Sequence, residues 1–183
     1  MVHLKKFSSF SVVAAIILAC GSGGKEPSPA VNTKDRQVIL THWVDNIIIP
    51  AYKNFQEVFE TMAEKTDAFT VSPNETTLAE LRQAWVDAYT EWQTVELFEF
   101  GPADRFTLRN FFNIYPTDVS GVVSNMNDPS ASLELSASYT RQGFPALDYL
   151  INGLAADDAG IVGSYTTDAD AQKRIAYLRR IVM

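Results

Sequence analysis

Cysteine is almost missing from this 183-residue chain: there is one, Cys20. That excludes an intrachain disulfide and any site built from two thiolates. Histidine is nearly as scarce, with His3 and His42 alone. Basic residues are outnumbered, 15 Lys and Arg against 22 Asp and Glu, for a formal charge of −7. A surface of that sign repels a phosphate backbone, and no basic run with interleaved aromatics offsets it, so nucleic acid is excluded as a partner. There is no glycine-rich phosphate loop and no serine nucleophile elbow, and the His42-Trp43-Val44-Asp45-Asn46 run lacks the spacing of a zinc-protease helix. No alternating strand pattern and no repeat is visible. What is present, 46% apolar and 20% charged residues, describes a globular chain long enough to bury a core.

The N-terminus reads as an export segment. Lys5 and Lys6 precede a short apolar run, Phe10 to Ala19, which is a signal-peptide core rather than a membrane span. It ends Ile17-Leu18-Ala19-Cys20, followed by Gly21-Ser22-Gly23-Gly24. A small residue before cysteine resembles a bacterial lipobox, whose cysteine is lipidated and becomes the first mature residue. Residues 1–19 are thus expected to be a lipoprotein signal peptide. Cys20 is the expected lipidation site, and 20–32, rich in Gly, Ser and Pro, a flexible tether. Cleavage removes His3, Lys5 and Lys6, so Lys plus Arg falls from 15 to 13 against 22 acids and the charge deepens to −9. His42 would then be the sole mature histidine. The expected location is the cell envelope, with the chain lipid-anchored at the outer membrane or its periplasmic face.

The remaining chain, 33–183, carries helical periodicity. Leu40, Val44, Ile47, Ile48, Phe55, Val58, Phe59 and Met62 predict a long first helix from Thr33 to about Lys65, kinked at Pro50, which has no N–H to donate. A connector is expected over 66–74. Leu78, Leu81, Trp85, Ala88, Trp92 and Val95 step by three and four and form the stripe of a second helix. Trp85 and Trp92 share its face, Glu96 follows Trp92 by four, Glu99 comes three later, and Gly101-Pro102 stops the helix. Short helices are expected over 101–114, from Thr117 or Asp118 through Met126, and after Ser130. Another opens with Pro145 as its first residue and ends at Gly153. A turn over 157–163 precedes a last helix whose apolar stripe, Ala171, Ile175, Leu178 and Val182, is still running where the sequence stops. The expected architecture is an all-α helical bundle.

Four stretches resemble one family: HWVDNIIIPAY, AWVDAYTEWQTVELFEFGP, IYPTD and QGFPALDYLING. Together, over about 38–182, they are similar to the imelysin-like proteins, also called insulin-cleaving membrane proteases or peptidase family M75. The more specific part runs from Trp85 through Trp92, Glu96 and Gly101 to Pro102. The resemblance implies bacterial envelope proteins, often lipoproteins, with two related helical halves, of which this chain matches the first. It therefore implies either a missing second half or a short version that pairs as a homodimer through 171–182. The family's G-x-H-x-x-E hallmark, implicated in metal binding and peptidase activity, stands here as Gly143-Phe144-Pro145-Ala146-Leu147-Asp148. Proline has no lone pair for a metal or a proton, and Asp148 keeps a carboxylate on a shorter arm.

The remaining candidate chemistry is a metal site from Glu96, Asp148 and His42, for iron or another divalent cation, since carboxylates suit hard cations. The bland alternatives are that Glu96 and Glu99 pair with Arg105 or Arg109, that Asp148 complements its helix dipole, and that His42 interacts locally, with Asp45 for example. The expected function is a non-catalytic imelysin-like lipoprotein binding a metal ion for uptake. A metallopeptidase requires His42, Glu96 and Asp148 to converge, with further ligands from a missing second half, and a structural interaction module would use the apolar stripe of the last helix instead.

Overall fold

A computed structural model describes residues 33–182. The chain divides into two compact units, Met1–Val38 and Ile39–Met183. Of the first, only 33–38 are described, as exposed helix. The expected signal peptide, tether and Cys20 lie outside the described residues. All regular structure among the described residues is helical.

The first helical run keeps its predicted continuity but changes winding. It comprises α1 (Thr33–Trp43), a π-helical turn (Val44–Ile48) and α2 (Ile49–Val71). The π turn ends two residues before Pro50, whose missing N–H interrupts an α-helical ladder; the Ile49 N–H bonds to the Val44 carbonyl. The helix also outruns its predicted end at Lys65. Thr66, Phe69 and Thr70 are buried, so packing rather than local preference carries it on to Val71. The predicted apolar face is buried only in its second half. Phe55 and Met62 enter the core, whereas Leu40, Val44 and Ile47 are exposed.

α3 (Glu75–Val95) returns against α2 after a three-residue connection, and this pair is the body of the bundle. Its start is set by a capping box. The Asn74 side chain accepts from the Thr77 N–H (3.0 Å) and the Thr77 hydroxyl accepts from the Asn74 N–H (3.2 Å). Leu78, Leu81, Ala84, Ala88, Trp92 and Val95 are buried, each large one contributing about 1.5–3 kcal/mol. The helix stops at Val95, earlier than Gly101-Pro102 implied. A 3₁₀ turn, Glu96–Phe98, follows, and Leu97 and Phe100 face solvent. Gly101 has φ 61°, ψ −122°, backbone open to glycine, and Pro102 begins the short α4 (Pro102–Arg105).

α5 (Leu108–Phe112), α6 (Val119–Asn127), a 3₁₀ segment (Ser136–Arg141), α7 (Gly143–Asn152), α8 (Asp158–Thr166) and α9 (Ala171–Arg180) complete the layer. Three expectations are corrected. No helix follows Ser130; bends lead to the 3₁₀ segment. Pro145 is the third residue of its helix, not the first. The expected turn at 157–163 is α8, capped by the Asp157 carboxylate on the Gly160 N–H (2.7 Å). Its two glycines hide the helix from propensity, and burial of Ile161 and Tyr165 compensates.

The stripe of α9 is not open. Ala171, Tyr177, Leu178 and Val182 are buried and Ile175 packs against the core. Arg179 bonds the Thr70 hydroxyl (2.8 Å) and pairs with Asp67 (3.2 Å) on α2. Its own chain therefore covers the surface offered to a homodimer through 171–182. The exposed apolar surface lies elsewhere, around a groove of about 490 Å³ lined by Val44, Ile49, Tyr52, Phe98, Phe100 and Phe106.

Candidate functional site

Gly143 makes the site possible. Its φ is +73°, and a Cβ there would lie 2.4 Å from the Phe112 carbonyl oxygen and 2.6 Å from that of Phe111. Only glycine lets α7 begin this close to the end of α5. Phe144 then enters the core, edge-on to Tyr89 (5.2 Å between centroids) and to Trp85 (6.2 Å). The Trp85 indole N–H donates to the Phe144 carbonyl oxygen (3.1 Å), tying α3 to the first turn of α7.

Between these helices lies a cleft of about 620 Å³. α3 supplies Trp85 and Tyr89, stacked at 5.2 Å with 16° between planes. α7 supplies Pro145, Asp148, Tyr149 and Asn152. The strap 113–119 closes the third side with Asn113, Tyr115 and Pro116, joined by a cis peptide between the last two, and Tyr115 is 83% exposed.

The strap is pinned at its far end. The Asp118 N–H donates to the Thr140 carbonyl (2.8 Å), and the Asp118 carboxylate accepts from the Gly121 N–H (2.9 Å) and from the Arg141 guanidinium (3.1 Å). The Gly121 amide above all, then the Ser120 hydroxyl and Arg141, hold the Asp118 carboxyl below the usual range. Arg141 immediately precedes Gln142-Gly143, so one ion pair joins the strap to the start of α7.

The predicted metal residues are dispersed. His42 is on exposed α1, its ring Nδ1 3.1 Å from the Asn46 amide nitrogen, so it interacts with Asn46. Glu96 accepts the Trp92 indole N–H at 3.0 Å, four residues back, and so serves a tryptophan that is 1% exposed. Asp148 alone lines the cleft, one oxygen accepting from the Asn152 amide (2.8 Å). Glu99 pairs with Arg109 (3.5 Å), as the bland reading had it. Among the described residues no three His, Cys, Asp or Glu side chains gather closely enough to hold a metal. At the hallmark position itself Pro145 has no donor and Asp148 stands as one carboxylate. The residues of the motif do not fit a resident metal ion.

The two tryptophans also part company. Trp92 is core, stacked on Phe112 at 4.9 Å, whereas Trp85 is half-buried and walls the cleft. Tyr115, Tyr149, Asn113 and Asn152 were not singled out from sequence. The IYPTD stretch, the residue before it and the residues just past Asp148 carried them.

Among the described residues the fold is a helical bundle with an aromatic cleft beside the first turns of α7. The sequence profile of the Imelysin family, peptidase M75, matches residues 48–182, and the chain belongs to that family. A curated relative, "Iron-regulated protein A" of Synechococcus elongatus, is 27% identical over 139 residues, covering 76% of this chain and 36% of the relative. The crystal structure of a Parabacteroides distasonis protein, assigned there as an iron-regulated protein A precursor, superposes with a TM-score of 0.66 at 21% identity, covering 85% of this chain and 43% of that one. The fold is thus shared. The chain spans less than half the length of either relative.

Proposed function

We propose that this protein is a lipid-anchored, non-catalytic binding protein of the bacterial cell envelope, serving iron-related physiology through a ligand taken into the α3–α7 cleft. One observation carries the non-catalytic part: the cleft presents Pro145 and a single carboxylate, Asp148, where metallopeptidase chemistry needs several ligands and a base. The iron connection is supported by the names of both relatives. The anchor is supported by the lipobox-like Leu18-Ala19-Cys20.

Two measurements test this. Calorimetric titration with ferrous, ferric, zinc and calcium ions should give no saturable heat at micromolar concentrations. Tight binding that disappears in Asp148→Ala would return the metal to the cleft. A peptidase assay on unfolded protein substrate with saturating zinc should show no hydrolysis; hydrolysis lost with Asp148→Ala would make the protein an enzyme.

A further inference from the structure

We propose that the cleft between α3 and α7 recognises an organic cation: an ammonium or guanidinium group carried on an aliphatic arm, such as a lysine or arginine side chain or a polyamine. This rests on the cleft being the binding site. Four electron-rich rings line it, Trp85, Tyr89, Tyr115 and Tyr149, and such rings attract cations. The one charged residue in the lining is Asp148. No Lys, Arg or His shares the lining, and none of the described ion pairs uses Asp148. The Asn152 amide holds one Asp148 oxygen at 2.8 Å and so orients the carboxylate. The side-chain carbonyl of Asn113 adds an acceptor suited to N–H donors.

Other ligand classes fit less well. An anion would meet Asp148 with no cationic side chain to offset it. A bare divalent ion needs six or so oxygens and would find one carboxylate. A neutral sugar could stack on Trp85 and Tyr89 but leaves the carboxylate uncompensated. At about 620 Å³ the cleft is sized for an amino-acid side chain with its flanking backbone or for a short polyamine.

The test uses the full chain in detergent and three probes: Nα-acetyl-arginine amide, 1,5-diaminopentane and maltose. Intrinsic tryptophan fluorescence and calorimetry read binding, and circular dichroism checks that each variant folds. Both cations should bind saturably and maltose should not. Asp148→Asn, on an exposed side chain, should weaken both cations roughly tenfold or more, and Tyr89→Leu should weaken them about 2- to 30-fold. Raising the salt concentration should weaken binding as well. Binding of maltose as tight as the cations, or cation binding indifferent to Asp148→Asn, would overturn the cation assignment and leave the cleft as a site. If no probe binds, the cleft itself loses its role and both readings fall together.

Discussion

At Gly143 the backbone leaves no room for a side chain, and the consequence is testable. Gly143→Ala places a Cβ against two main-chain carbonyls in a left-handed conformation. The two costs, strain and overpacking, together predict a loss of at least about 2 kcal/mol in urea unfolding. An unchanged midpoint would show that α5 can retreat. Tyr165 gives a second residue-scale prediction. It is buried, its hydroxyl donates to the Leu150 carbonyl (2.8 Å), and burial pushes its ionisation well above the usual tyrosine range. Burial also raises Tyr177. A group whose folded pKa exceeds its unfolded value stabilises fully below the latter and loses that contribution as pH rises. The contribution of these two tyrosines should therefore be flat up to about pH 10 and fall beyond it. Tyr165→Phe should make that alkaline fall shallower in pH-dependent denaturation; an unaltered slope would assign it to other groups.

The elements show where packing overrides local preference. α8 contains Gly160 and Gly163, which argue for a turn, yet the Asp157 cap and the burial of Ile161 and Tyr165 hold a helix. The π turn before Pro50 changes the winding of the helix where pattern reading expected a kink. α9 packs its apolar stripe within its own chain. Its stripe faces α2, α6 and α8 of the same chain, and Arg174 and Arg180 bond the Ser164 and Ala131 carbonyls. Leu178→Ala should thus cost about 2–5 kcal/mol as a core truncation. It should not shift oligomeric state in sedimentation. A change in association with intact stability would restore the stripe as an interface.

For the whole molecule, attachment and surface make separate predictions. Cys20→Ser should move the protein from the membrane fraction to the soluble fraction; retention at the membrane would remove the lipid anchor from the proposal. Among the described residues no helix is long and apolar enough to cross a membrane. The groove near Val44, Phe100 and Phe106 leaves large apolar side chains bare, Phe106 being 68% exposed. Contiguous surface of that kind binds apolar dyes. Anilinonaphthalene sulfonate should fluoresce with the folded protein, and Phe100→Ser with Phe106→Ser should dim it; equal brightness would place the dye elsewhere.

The helical class, the long opening run, the Trp92 stripe and the family were legible in the chain alone. Their signals are periodic and local: three- and four-residue apolar spacing survives any tertiary arrangement that buries one face. The loss of the hallmark histidine was legible too, because what Pro145 cannot coordinate follows from its covalent structure. Only the folded chain decided that His42, Glu96 and Asp148 stay apart, that Trp85 walls a cleft while Trp92 fills the core, and that Tyr115 and Tyr149 join it. Residues from three elements meet there through the close approach at Gly143 and the Asp118–Arg141 pair, contacts between segments distant in sequence that no spacing rule encodes.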